Sequence, residues 1–86
     1  MPFVSMFFGI LIRMFYSEHN PPHFHAEYQG TEGTFDFKGK MLNGNIKSPV
    51  ALRLIRDWAL LRRPELEQNW KNIENKESIN KIKPLE

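Results

Sequence analysis

Residues 23–40 read HFHAEYQGTEGTFDFKGK, and the fold turns on this stretch. From His23 to Tyr28 the side chains alternate with the period of a strand: Phe24, Ala26 and Tyr28 share one face, and His23, His25 and Glu27 the other. Gly30 and Gly33 mark a turn, and Thr34 to Lys38 repeats the alternation through Phe35 and Phe37. Gly39 allows a tight turn into a short run, Lys40-Met41-Leu42, which Asn43-Gly44-Asn45 closes with a second strong turn signal. Strands joined this closely pair antiparallel with their sequence neighbours, because a parallel pair needs a crossover of a dozen residues or more.

Upstream, Met6 to Tyr16 (MFFGILIRMFY) is apolar at both alternate positions, which predicts one strand covered on both faces, with Gly9 at a bulge or a close backbone approach. The connection through Ser17, Glu18, His19, Asn20, Pro21 and Pro22 is rigid, since two prolines remove two donors and bias Asn20 towards an extended backbone. The apolar run from Pro2 to Ile12 lacks a basic leader and a cleavage site, and Arg13 ends it short of the roughly 20 residues that span a bilayer. A cytoplasmic location is therefore expected.

Downstream, Ser48-Pro49 reads as N-cap and first helical residue. Val50, Ala51, Leu52, Leu54, Ile55, Trp58, Ala59 and Leu61 then cover more than half of the helix circumference. That arc predicts two contacts: the sheet, and either a second helix or another subunit. Pro64 ends this helix and opens the next, where Leu66, Trp70 and Ile73 form a narrow stripe. The predicted fold is α+β: an antiparallel meander of three or four strands followed by two helices packed on one face. Residues 1–75 form the domain, and 76–86 a polar tail, extended through Ile79, Ile82 and Leu85 or mobile. The expected core is Phe8, Ile10, Ile12, Met14, Phe24, Phe35, Phe37, Leu54, Trp58, Leu61, Leu66 and Trp70.

Composition sets the limits. A chain of 86 residues makes one domain with a small core, which partner contact can supplement. The absence of cysteine excludes disulfides and thiolate zinc sites. A net charge of +2 permits nucleic-acid contact without arguing for it.

The chemically loaded segment is His19-Asn20-Pro21-Pro22-His23-Phe24-His25. His23, His25 and Glu27 on one strand face suit a divalent transition metal of nitrogen and oxygen preference, with Glu18 or His19 as alternative third ligands. Two imidazoles beside Arg13 or Lys38 equally suit acid–base cleavage of a phosphodiester. The plainer reading makes His19, Asn20, His23, His25 and Glu27 a rigid polar turn and strand used for structure or recognition. Arg53, Arg56 and Arg63 on or near the first helix are candidates for nucleic-acid contact, against a solvated helix face. No phosphate-binding glycine loop, serine triad or thiol nucleophile is present.

Met1-Pro2-Phe3-Val4-Ser5, Phe8-Gly9-Ile10, Ile12-Arg13-Met14 and His19-Asn20-Pro21-Pro22-His23-Phe24-His25-Ala26 resemble a bacterial family catalogued as domain of unknown function 4160. Ala51-Leu52-Arg53-Leu54, Asp57-Trp58-Ala59, Glu65-Leu66, Asn69-Trp70 and Lys83-Pro84-Leu85 extend the likeness over nearly the whole chain. The resemblance implies a small bacterial protein of one domain, often encoded beside another small protein in an arrangement similar to toxin–antitoxin pairs. It thereby implies a protein partner and a regulatory or toxin-like role, and it carries over no catalytic residues. Thr34-Phe35-Asp36-Phe37 and Gly39-Lys40 depart from the more aliphatic strand and more acidic turn of that family.

Overall fold

The apolar run that reads as one strand is a hairpin. β1 (Phe3–Phe7) and β2 (Ile10–Arg13) pair antiparallel across Phe8-Gly9, whose φ angles are 49° and 80°. Two successive residues in the left-handed region make the two-residue turn that matches strand twist, usually announced by Asn-Gly. Here the glycine stands and the Asn does not, so the turn was hidden among apolar residues. As a result β2 alternates, with Ile10 and Ile12 buried and Leu11 and Arg13 half-buried, rather than being covered on both faces. Phe8, expected in the core, is 62% exposed at the turn, and Phe7 is buried instead.

The computed structural model describes residues 3–16 and 19–86; Met1, Pro2, Ser17 and Glu18 lie outside the described residues. β3 (His23–Tyr28), β4 (Thr31–Asp36) and β5 (Met41–Gly44) continue the meander, giving a five-stranded antiparallel sheet in the order β1-β2-β3-β4-β5. The hairpin accounts for a strand more than expected. Gly33 does not turn the chain; it lies inside β4, paired with Ala26.

Both helices lie on one face. α1 (Pro49–Leu61) starts as its sequence predicts, with Ser48 Oγ accepting from the Ala51 N–H at 3.1 Å. α2 (Arg63–Glu74) follows after Arg62 alone. Between helices and sheet, Phe24 stacks on its cross-strand partner Phe35 at 5.6 Å, and the Trp58 ring stands edge-on to Phe24 at 5.4 Å. α1 buries only Ala51, Ile55, Trp58 and Ala59; Leu61, expected in the core, is 55% exposed, as are Val50 and Leu60 to a similar degree. The wide apolar arc thus exceeds what the sheet and α2 cover.

Residues 77–86 run extended and are tied to the body. The Ile82 N–H donates to the Val4 carbonyl at 2.7 Å, and Trp58 Nε1 donates to the Lys83 carbonyl at 3.0 Å. The outer edge of β1 is thereby occupied by the chain's own tail, whereas β5 has a partner strand on one side only. No helix among the described residues is long and apolar enough to cross a membrane.

Candidate functional site

The face of the sheet opposite the helices carries the side chains that the alternation set aside. Arg13, His25 and Thr34 stand opposite one another on β2, β3 and β4, forming a row across the strands. With Phe15, Glu27, Glu32 and Asn43 they line a depression of about 350 Å³. Its one described ion pair joins Arg13 Nε to Glu27 Oε2 at 2.7 Å, diagonally across β2 and β3. Both side chains are partly exposed, so the pair orders the surface more than it stabilises the fold.

The two strand histidines stand side by side, as the period of two requires. Their ring centroids are 5.2 Å apart with the planes at 76°. His23 stands outside the lining of the depression, and its Nδ1 is 2.7 Å from the Pro21 carbonyl oxygen. A carbonyl only accepts, so Nδ1 carries the proton of that bond and the double-proline turn sets the ring's orientation. The same ring lies 5.4 Å from that of Trp70 in α2, which links the motif to the helical layer. His25 is steadied by an edge contact with Phe15 at 4.7 Å and lies 3.5 Å from Thr34 Oγ1 through Nδ1. His19 and Asn20 are exposed in the preceding connection, and the Asn20-Pro21 peptide is cis.

The structure therefore gathers His23, His25 and Glu27 on one face, but Glu27 turns to Arg13 rather than to the imidazoles. Among the described residues no three His, Asp or Glu side chains form a group able to hold a metal ion. Glu18, considered as a third ligand, lies outside them. Arg53 and Arg56 are exposed on α1, while Arg63 begins α2 and bonds Glu67 Oε2 at 2.8 Å, so the three arginines belong to two helices. Phe15, Thr34 and Asn43 join the site only through strand register, which residue types alone do not reveal.

The family model "Domain of unknown function (DUF4160)" matches residues 9–71. The chain belongs to this family. The DUF4160 match runs from the glycine of the first hairpin into α2 and takes in every lining residue of the sheet-face depression. Neither the curated proteins nor the solved structures contain a match to this chain.

Proposed function

We propose that this DUF4160 protein is an interaction module of regulatory type, which binds a small protein partner on the helix-free face of its sheet. One observation carries the reading: both helices lie on one face of the five-stranded sheet, and at its β1 side two apolar side chains reach solvent, Met6 in register with Leu11 and Phe8 at the hairpin tip, 59% and 62% exposed. Phe8 is the telling residue. A bulky side chain at φ 49° costs about 1 kcal/mol relative to a residue suited to that conformation, and such cost at an exposed tip is retained where the side chain has a task. An exposed aromatic side chain with an apolar neighbour is the kind of anchor that dominates interaction hot spots.

Phe8→Asn supplies the Asn-Gly turn that the hairpin prefers. We expect this variant to be about 1 kcal/mol more stable in urea, while binding to a partner, such as the co-expressed product of an adjacent gene, falls at least about tenfold. Light scattering after size exclusion reads the complex. A strict monomer in the presence of that product, or a complex indifferent to Phe8→Asn and to Met6→Asp, overturns the reading.

A second reading, histidine chemistry with a divalent metal or on RNA, is favoured by the 5.2 Å pairing of His23 and His25 beside Arg13. It expects His23→Ala/His25→Ala to abolish a thermal shift given by zinc, nickel or manganese in tag-free protein, or to abolish ribonuclease activity. If wild-type protein shows neither, that reading ends.

A further inference from the structure

Away from the histidines, the link between β4 and β5 is held as one rigid turn. Asp36 Oδ1 accepts the N–H groups of both Lys38 and Lys40 at 2.9 Å, and the Asp36 N–H donates to the Lys40 carbonyl at 2.9 Å. Gly39, at φ 84°, presses this turn against α1: a Cβ there would lie 2.5 Å from the Arg56 Cα. Only glycine permits the approach, and it brings Lys38 and Lys40 into one cleft with Arg56 and with Arg53 one helical turn before it.

The resulting cleft has a volume of about 410 Å³, with Lys38, Lys40, Arg53 and Arg56 at its rim and Met41 and Leu52 among its apolar lining. Four of the chain's twelve lysines and arginines gather there, no Asp or Glu lines it, and none of the four forms an ion pair with a described residue. Asp36, the nearest acid on the turn, already accepts two backbone donors, and Asp57 lies outside the lining. Such a concentration of like charge raises the local affinity for a counter-charge.

We propose that this cleft binds an acidic peptide segment, with its carboxylates on the four cations and an aliphatic side chain on Met41 and Leu52. A phosphodiester backbone would use the cations and leave the apolar floor bare. The lining also offers no aromatic ring on which a base could stack. An extended peptide uses both halves of the cleft, and it enters beside β5, which has a partner strand on one side only. The cleft shares no lining residue with the sheet-face depression, so this inference stands apart from the sheet-face reading.

The test is fluorescence anisotropy with the full chain and a labelled octapeptide of alternating Glu and Leu. Same-length Ser-Leu, all-Glu and single-stranded oligothymidylate probes serve as controls. Saturable binding of the Glu-Leu probe is expected, with an affinity that falls at least about tenfold in Arg53→Glu/Arg56→Glu and separately in Lys38→Glu/Lys40→Glu, at unchanged melting temperature. The Ser-Leu probe should bind poorly and the all-Glu probe several-fold more weakly than Glu-Leu. The inference is overturned by a lack of saturation at low salt, by charge-reversed variants that bind as tightly as the wild type, or by an all-Glu probe as tight as Glu-Leu. Tighter binding of oligothymidylate overturns it too, and makes the cleft a phosphate-backbone contact.

Discussion

Trp58→Ala is expected to destabilise the chain by about 3–5 kcal/mol, roughly half of the ~5–10 kcal/mol that a domain of this size holds in total. Trp58 is fully buried in the middle of α1. Its ring contacts Phe7 from β1 and Phe24 from β3, each at a centroid distance of 5.4 Å, so one side chain joins two non-adjacent strands of the sheet to the helical layer. Its indole N–H also holds the tail at the Lys83 carbonyl. Trp58→Phe keeps much of the packing and deletes that bond, so its expected cost is smaller, about 1–2 kcal/mol. Urea unfolding followed by far-ultraviolet circular dichroism separates the two. A Trp58→Ala loss below about 1 kcal/mol would show that the core does not centre on this ring.

The same residues show why the layers could be read from the chain. Phe24 and Ala26 alternate with polar neighbours on β3, as Phe35 does on β4 with Phe37 just beyond it, and Ala51, Ile55, Trp58 and Ala59 repeat with the helical period; each pattern names its buried face without reference to anything distant. Phe8 and Leu61 escaped because their placement depends on neighbours. Phe8 leaves the core through a turn that a Phe-Gly pair signals only by its glycine. Leu61 belongs to an apolar arc wider than the sheet beneath it, and periodicity cannot say which edge of a wide arc stays outside.

The candidate site divides in the same way. That His23, His25 and Glu27 share a face follows from strand geometry and was legible. That Glu27 turns to Arg13, that Phe15 and Thr34 flank His25, and that Trp70 meets His23 depend on register and on a helix more than forty residues downstream. The basic cleft is the clearest case. Arg53 and Arg56 were visible as a pair on a helix, but Lys38 and Lys40 reach them only because Gly39 lets the turn touch α1. A glycine between two lysines reads as a turn; that it is also a contact is a tertiary fact.

Asn69→Leu is expected to detach the tail and cost about 2–3 kcal/mol. Asn69 is 1% exposed in α2, where its carboxamide acts as a substitute strand: Nδ2 donates to the Asn80 carbonyl at 2.8 Å, and Oδ1 accepts the Asn80 N–H at 2.9 Å. Asn72 repeats half of the device by donating to the Ser78 carbonyl at 3.0 Å. Leucine fills the space and offers neither bond, so the tail either stays with two unsatisfied main-chain groups or swings into water. Because Asn80 is already near solvent, swinging out is the cheaper course, and it caps the loss at the tail's own docking energy. Departure withdraws Ile82 from the core and its N–H from the Val4 carbonyl, which opens the edge of β1. Hydrogen exchange should therefore show the Ile82 amide losing protection while amides of β3 and β4 keep theirs, and an exposed β1 edge should promote self-association at high concentration. Asn69→Asp, which keeps the acceptor but sets an oxygen against the Asn80 carbonyl, should release the tail as well. An Ile82 amide that stays protected in both variants would place the tail's anchorage in the Trp58–Lys83 bond and the apolar contacts of Ile79, Ile82 and Leu85 rather than in the amide pair.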